Sequence, residues 1–297
     1  MKPESVKRIV DNRENDLAFI IGNGINRYYG TSKSWEDILL ELWKKFSYNT
    51  LGFRPNGISL TEIYDLLDLQ NLNDNIENNI QKEVKRIYLN VKPNIEQNKL
   101  LERIKINDSQ ILTTNYDDLM CKSMGLTFYN PIGNELTDYY PWECYYSNRK
   151  LETPLDGFGI WHMNGMIKYH RSIKLGLQQY MGNIYRARKW IHGNYEDLKF
   201  TEKNQKTWPG MNSWLHILFN KSLCIIGLGL EENEIFIRWL LIERAKYYRR
   251  FPERKKQGWY IKLKNEVNDG KDFLLEGLGF QVIEMKEYSD IYEKIWE

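Results

Sequence analysis

The sequence predicts an α/β protein with a Rossmann-like, doubly wound parallel sheet and an inserted helical lobe. Short apolar runs alternate with amphipathic helical patterns at both ends of the chain, which is typical of a parallel sheet covered by helices. Two of the apolar runs end directly in glycine turns. A length of 297 residues accommodates one large domain with a smaller lobe. We therefore expect residues 1–297 to form a single domain, with the helical lobe at about residues 34–106.

The first strand and the lobe follow from local patterns. Residues 17–21 are an uninterrupted apolar run, as in a buried strand. Ser34 stands where an N-cap is expected for the amphipathic helix of residues 35–46. From residue 59 to residue 106 the pattern is helical throughout, without a strand signal. This stretch predicts a lobe inserted after the first strand.

The rest of the chain contains further strand and helix patterns. We predict strands at QILTT (110–114), GIWHM (159–163), SIKLG (172–176), KSLCIIG (221–227), WYIKL (259–263) and FQVIEM (280–285). We predict helices at residues 180–191, 231–248, 272–279 and 290–296, and loops with short strands at residues 127–157. Apolar strands separated by helices favour parallel pairing.

Composition and charge restrict the possible partners. A net charge of +2 is too balanced to favour nucleic acid or a membrane surface, and neither is expected as a partner. No apolar run approaches the roughly 20 residues of a membrane helix, and the first residues lack the apolar core of a signal peptide. The three cysteines are far apart, which argues against a disulfide framework and a four-cysteine zinc site. We expect a cytoplasmic protein without zinc.

Four predicted strand ends carry polar or glycine-rich sequence, and ligands of open parallel sheets bind beyond such ends. The first is Gly22-Asn23-Gly24, followed by Asn26 and Arg27. Its glycines permit close backbone approach, and Asn26 and Arg27 can donate hydrogen bonds to phosphate. A simple tight turn is the alternative. Arg27 occupies the position of the third glycine in the usual dinucleotide fingerprint, which disfavours a hydride-transfer enzyme.

The second strand end offers hydroxyl, amide and carboxylate groups together. Thr114, Asn115 and Asp117 directly follow the apolar run of residues 110–113. Such groups suit ribose hydroxyls and a carboxamide, whereas helix capping is the alternative role for Asn and Asp.

The third strand end contains a histidine. Alternation along a strand would place His162 and Asn164 on one face and Met163 on the other. A histidine at this position could act as a general base, and a buried structural role is the alternative.

The fourth strand end is a second glycine turn that opens a helix. Gly227 and Gly229 would give a dinucleotide a second backbone surface, and Glu231 or Glu232 could bind ribose hydroxyls. Glu232 stands where a third glycine would be required, which again disfavours hydride transfer.

Taken in order, FIIGNGIN, ILTTNYD, IWHMNG with SIKLGLQQYMG, and CIIGLGLEENE resemble the catalytic core of the sirtuin-like family, and most closely its bacterial anti-phage defence branch. The resemblance extends from about residue 16 to the C-terminus. It implies that NAD⁺ binds between a Rossmann-like domain and a helical lobe, and that the nicotinamide–ribose bond is cleaved. It assigns residues to the first NAD loop (Gly22, Gly24, Asn26, Arg27), to the threonine–asparagine–aspartate motif (Thr114, Asn115, Asp117) and to the adenosine side (Gly227, Gly229). Asn23 and Glu231 join the predicted NAD⁺-binding residues because they belong to the two glycine turns.

Two departures from the family pattern affect the expected activity. Deacylating sirtuins carry a four-cysteine zinc module, which three scattered cysteines cannot build, so NAD⁺ hydrolysis is favoured over deacylation. The family's catalytic histidine precedes a glycine, but this position is Asn164 here. Three explanations stay open: His162 is the base instead, Asn164 was introduced to trap a complex, or the chain is catalytically silent.

The sequence thus predicts an NAD⁺ glycohydrolase with Asn115, His162 and Asn164 as its catalytic residues. The resemblance implies that it depletes NAD⁺ in abortive infection after activation by homo-oligomer assembly or by a partner defence protein. The alternative is a silent NAD- or nucleotide-binding regulatory subunit.

Overall fold

A computed structural model describes residues 3–12, 16–71, 76–131, 138–193, 208–266 and 268–297. Its centre is an eight-stranded sheet with the order β3-β4-β5-β2-β1-β6-β7-β8. The strands are β1 Leu17–Ile21, β2 Gln110–Thr113, β3 Thr127–Tyr129, β4 Tyr145–Ser147, β5 Ile160–His162, β6 Ser222–Ile226, β7 Gly258–Leu263 and β8 Phe280–Met285. All neighbouring pairs are parallel except β3 with β4 and β4 with β5. The predicted Rossmann-like α/β fold is confirmed.

Helices cover both faces of the sheet. They are α1 Pro3–Asp11, α2 Gly24–Tyr28, α3 Trp35–Phe46, α4 Leu60–Gln70, α5 Ile76–Leu89, α6 Asn98–Ile106, α7 Leu119–Ser123, α8 Leu177–His192, α9 Trp214–Asn220, α10 Ile235–Arg250 and α11 Asp269–Gly277. Short 3₁₀ turns span Ile95–Gln97, His170–Ser172 and Pro252–Arg254, and a π-helical turn spans Asp290–Lys294. No helix in these described stretches has the length and apolar character needed to cross a membrane.

Two serines start the lobe helices. The Ser34 side chain accepts a hydrogen bond from the Asp37 amide, and the Asp37 carboxylate accepts one from the Ser34 amide. Ser59 and Glu62 make the same reciprocal pair at the start of α4. Each pair satisfies backbone donors that a helix N-terminus leaves free. The predicted cap at Ser34 is confirmed.

The central strand β1 is where the order of the sheet reverses. The chain passes from β1 to β2 on one side and later returns to β6 on the other side. All five residues of β1 are buried, and they alternate between two cores. Ala18 and Ile20 belong to one core, whereas Leu17, Phe19 and Ile21 belong to the other. A crevice therefore opens beyond the carboxyl end of β1, where such sheets bind ligands.

The helical lobe has its own core. Helices α3, α4 and α5 pack their apolar residues together, with Ile167, Ile173 and Leu175 from the segment after β5 added to the same cluster. Helix α6 differs, because Leu100 and Ile104 pack into the sheet core that also contains Phe19. The lobe core is thus built by α3–α5, and α6 covers the sheet.

The predicted strand at residues 172–176 is wrong. Ser172 ends a 3₁₀ turn, Ile173 has an extended backbone, and residues 173–175 belong to no strand of the described sheet. The backbone groups of this segment bond elsewhere: the Lys174 amide donates to the Asn164 carbonyl (3.1 Å), and the Ile173 carbonyl accepts from Gln81 Nε2 (2.7 Å). The segment therefore ties the lobe to the loop after β5.

Candidate functional site

A cleft of about 350 Å³ lies beyond the carboxyl ends of the central strands, between the sheet and the helical lobe. This volume falls within the range of small-molecule sites, about 300–1,000 Å³. The sheet side contributes Asn23, Gly24, Arg27, Thr114, Asn115, Asn164, Gly227, Gly229 and Glu231. The lobe contributes Trp35, Leu60, Thr61 and Tyr88. Residues from all four predicted strand ends therefore meet in one cleft.

The two glycine loops are packed backbone against backbone. The Gly22 amide donates to the Ile226 carbonyl (3.1 Å), and the Gly24 amide donates to the Gly227 carbonyl (2.8 Å). A Cβ atom on Gly22 would lie 2.5 Å from the Gly227 oxygen, and one on Gly24 would lie 2.6 Å from the Gly227 Cα. The glycines are therefore required for contact between the loops. Gly22 lies beneath the cleft, whereas Gly24 and Gly227 line it.

Asn26 and Asp117 lie under the first loop rather than in the cleft lining. Asn26 Nδ2 donates to Asp117 Oδ2 across 3.0 Å, and both side chains are buried. Burial raises the pKa of Asp117 to about 6, because the charged carboxylate loses hydration. The pair joins the start of α2 to the end of β2. It supports the first glycine loop.

Asn115 lines the cleft directly after β2 and is only 6% exposed. Its backbone amide donates to Thr113 Oγ1 (3.1 Å), and Thr113 Oγ1 donates to the Ile21 carbonyl (2.8 Å). Asn115 Nδ2 lies 3.4 Å from the Gly22 carbonyl oxygen. Thr113, which the sequence analysis did not select, thus fixes the position of Asn115 against β1. Thr114 lines the cleft beside it.

His162 is the last residue of β5, and the structure places it outside the cleft lining. Its side chain is 1% exposed and packs beside Tyr146. Nδ1 lies 2.8 Å from the Asn115 carbonyl oxygen, so Nδ1 carries the hydrogen, since a carbonyl oxygen only accepts. Burial lowers the pKa of the imidazole. His162 therefore supports the Asn115 backbone as a neutral residue.

Asn164 lines the cleft from the turn that follows β5. Because the strand ends at His162, the strand alternation used in the sequence analysis does not extend to Asn164. Gly165 has a φ of +101°, a conformation that glycine adopts readily and that turns the chain towards Ser172. Asn164 is 2% exposed, and its Oδ1 has no hydrogen-bond partner among the described residues. This amide oxygen is available to a ligand.

The second glycine loop is held from behind by two side chains. Tyr260 donates from its hydroxyl to the Leu228 carbonyl (3.0 Å), and Lys271 Nζ donates to the Gly229 carbonyl (2.9 Å). Glu231 is 53% exposed and lies 3.7 Å from Lys271 Nζ. Beyond this loop the cleft is bordered by further polar and aromatic residues: Tyr260, Lys262, Glu266, Tyr288 and Tyr292.

Sequence reasoning missed a group of titratable side chains in the cleft. Glu234, Tyr116 and Tyr180 line it together. The Tyr116 hydroxyl donates to the Lys174 carbonyl (2.6 Å) and lies 3.4 Å from the Tyr180 hydroxyl. Burial, and then the charge of Glu231, raise the pKa of Glu234 to about 7. The acidic run of residues 231–234 was the available sequence signal for Glu234.

The sequence signal for the lobe residues of the cleft was weaker than that for Glu234. Trp35 and Tyr88 belong to amphipathic helices, whose aromatic residues the sequence cannot separate into core and ligand-facing positions. The structure brings both to the cleft, opposite the sheet. Only the packing of the lobe decides this.

The cleft combines glycine backbone, an arginine, amide side chains and carboxylates, which suits a ligand with phosphate and hydroxyl groups. Over the described residues, no three His, Cys, Asp or Glu side chains are grouped to hold a metal ion. Cys121, Cys144 and Cys224 are separate, buried thiols. Compared with known proteins, the chain matches no protein-family model and no curated protein.

Proposed function

We propose that this protein is an NAD⁺ glycohydrolase that cleaves the nicotinamide–ribose bond. One observation carries the proposal: both glycine loops, Asn115 and Asn164 converge on a single cleft at the reversal of the sheet. The resemblance of the same segments to the sirtuin-like family supplies the reaction. NAD⁺ is the substrate in this proposal.

The cleft residues suit different parts of NAD⁺. In this proposal Asn23, Gly24 and Arg27 contact the diphosphate, because backbone amides and a guanidinium bind phosphate oxygens well. Gly229 and Glu231 bind the adenosine ribose. Their position beside the aromatic and polar end of the cleft supports that orientation.

Asn115 is the residue assigned to the nicotinamide ribose. Thr113 binds its backbone N–H and His162 binds its backbone carbonyl, so the side-chain amide of Asn115 extends from a fixed backbone. Cleavage passes through an oxocarbenium-like state, and a fixed amide stabilises such a state by holding the ribose and orienting water.

A direct product assay tests this function. Purified protein is incubated with NAD⁺, and free nicotinamide, ADP-ribose and cyclic ADP-ribose are separated and quantified. We expect nicotinamide and an ADP-ribose product in equal amounts. An acyl-lysine peptide and an alcohol hydride donor are added in parallel arms, and NADH is measured in the second arm. Nicotinamide release that depends on the peptide would instead assign a deacylase, and NADH formation that depends on the alcohol would assign a dehydrogenase.

A silent NAD- or nucleotide-binding regulatory subunit is the second candidate. Two positions at which the family carries histidines favour this candidate. Asn164 cannot act as a base near neutral pH. His162 lies outside the cleft lining. Calorimetric titration with NAD⁺ separates the candidates. Saturable binding without nicotinamide release, with or without an activating partner, would favour the regulatory subunit.

The biological setting rests on the family resemblance alone. We propose that the enzyme acts in the bacterial cytoplasm during phage infection, and that a partner defence protein or self-assembly activates it. Cells that express the protein should lose NAD⁺ after infection. Size-exclusion chromatography with light scattering, with and without the product of an adjacent gene, tests both routes of activation.

A further inference from the structure

NAD⁺ hydrolysis needs a group that accepts a proton from water, and the expected residues do not supply it. Asn164 lines the cleft, but an amide does not accept a proton near neutral pH. His162 is buried beside Tyr146 and outside the cleft lining. A base for this reaction must therefore be another titratable group of the cleft.

Of the described residues that line the cleft, three carry carboxylates: Glu231, Glu234 and Glu266. Glu231 is half exposed and lies 3.7 Å from Lys271 Nζ. Glu266 accepts from the Tyr288 hydroxyl (3.3 Å) at the end of the cleft assigned to adenosine. Both lie away from Asn115 and Asn164 in the proposed orientation of NAD⁺.

Glu234 lines the cleft together with Tyr116 and Tyr180. Burial raises the pKa of both tyrosines, and the charge of Glu234 raises it further. Tyr116 directly follows Asn115 in the chain, and its hydroxyl bonds to the carbonyl of Lys174, whose amide bonds to Asn164. Tyr116, which lines the cleft with Glu234, is thus connected to both asparagines.

The contacts of Glu234 with the described residues leave one oxygen of its carboxylate without a structural role. It stands at the N-cap of α10, but its side chain makes no capping hydrogen bond. Arg238, one turn further on, donates to the Leu230 carbonyl (3.0 Å). Within the described part of the chain, the buried Oε2 of Glu234 has no hydrogen-bond partner. Such an oxygen is costly to bury unless a ligand or water contacts it.

We propose that Glu234 is the general base of NAD⁺ hydrolysis, an assignment that rests on the proposed function. The N1–C1′ bond breaks, and its electron pair stays on N1, which yields neutral nicotinamide. The oxygen of a water molecule bonds to C1′, and one of its protons passes to Glu234 Oε2. That proton is then released to solvent, so the balance is NAD⁺ and water to ADP-ribose, nicotinamide and H⁺.

Glu234→Gln tests the assignment, with Glu276→Gln on α11 as its matched control. Glu276 is exposed and lies outside the cleft lining. We expect kcat to fall at least about 100-fold in Glu234→Gln, as for the loss of a general base. The control should keep wild-type kcat. Calorimetric NAD⁺ affinity and the thermal midpoint are measured for all three proteins, so that loss of binding or folding is visible.

Rescue by azide separates a base from a structural residue. Azide attacks C1′ without losing a proton, so it bypasses a missing base and forms ADP-ribosyl azide. We expect azide to increase nicotinamide release by Glu234→Ala at least about tenfold, because a general base contributes about 10²–10⁴-fold to the rate. The positioning variant Asn115→Ala should show no such rescue.

The outcomes distinguish the two proposals. A wild-type protein that binds NAD⁺ and releases no nicotinamide, with or without an activating partner, overturns the glycohydrolase function, and the Glu234 assignment with it. A wild-type protein that is active while Glu234→Gln is equally active overturns only Glu234 as the base. Activity that is lost in Glu234→Ala and is not rescued by azide also overturns the assignment of Glu234 as the base. The hydrolase function is then unaffected.

Discussion

The backbone amide of Gly24 donates a 2.8 Å hydrogen bond to the carbonyl oxygen of Gly227, so the loop after β1 rests directly on the loop after β6. The Cα atom of Gly24 lies so close to the Gly227 backbone that a Cβ atom on Gly24 would lie 2.6 Å from the Gly227 Cα. The floor of the cleft is therefore a contact between two backbones. It depends on the absence of side chains at this position.

Gly24→Ala should destabilise the protein by about 1–3 kcal/mol, because the added methyl group has no space and both loops must move. Gly229→Ala is the matched control, since the atoms nearest to a Cβ there belong to the flexible Glu231 side chain, at an ordinary contact distance of 3.5 Å. The control should change the free energy of unfolding by less than about 0.5 kcal/mol. Urea unfolding of both variants measures this difference. Equal stability of the two would contradict the tight loop contact.

Asn115→Ala should lower NAD⁺ cleavage by about 100-fold or more, as when one preorganised donor is removed from an active site. Its side chain makes one long contact, 3.4 Å to the Gly22 carbonyl, so the stability cost should be about 1 kcal/mol. Asn98→Ala is the control, because Asn98 Nδ2 bonds to the Ser123 carbonyl outside the cleft lining. Nicotinamide release is the measurement, and wild-type turnover of Asn115→Ala would remove Asn115 from the site.

The buried His162 should make stability depend on pH. Its folded-state pKa lies below the unfolded value of 6.5, so protonation favours unfolding. Its contribution is fully present above pH 6.5 and is lost as the pH falls through the folded pKa. The slope for one proton is at most about 1.4 kcal/mol per pH unit.

The comparison uses His162→Gln, which does not titrate and keeps an amide donor for the Asn115 carbonyl. The free energy of unfolding of the wild type, minus that of the variant, should decline between pH 7 and pH 5. Asp117 has a raised pKa and titrates in the opposite sense, but it is present in both proteins and cancels. A difference that is constant with pH would contradict a buried neutral imidazole.

The activity should depend on the ionisation of Glu234. Its pKa of about 7 means that the carboxylate form dominates above pH 7, so kcat should fall as the pH drops below about 7. Burial raises this pKa most, Glu231 raises it further and Arg238 lowers it. The neighbouring Tyr116 and Tyr180 are neutral in this range.

Glu231→Gln should move the midpoint of this pH profile to lower pH, because it removes a neighbouring negative charge. Glu276→Gln, an exposed change on α11, should leave the midpoint in place. The profile is measured as kcat at saturating NAD⁺ between pH 5.5 and pH 8.5. This range of about three pH units is centred on the midpoint of about 7 that is expected for Glu234. A midpoint shared by all three proteins would show that Glu234 does not control the rate.

The elements that the sequence determined are those with a local cause. The apolar run of β1 and the serine cap of α3 were predicted at their observed positions, because strand burial and helix capping depend on adjacent residues. The two glycine loops were also predicted to meet, since parallel strands end at one edge of the sheet. Residues 172–176 have a strand-like pattern, but a distant loop and α5 occupy their backbone groups.

Only the tertiary structure decided which polar residues face the cleft. Asn26, Asp117 and His162 were predicted in the site on the same grounds as Asn115, but they are buried beneath or behind it and support its backbone. Glu234, at the N-cap of α10, and Tyr180, on α8, enter the cleft from segments that lie far apart in sequence. A sequence pattern assigns a residue to a strand end or helix turn. The direction that its side chain takes depends on the packing of the lobe and sheet, which involves contacts distant along the chain.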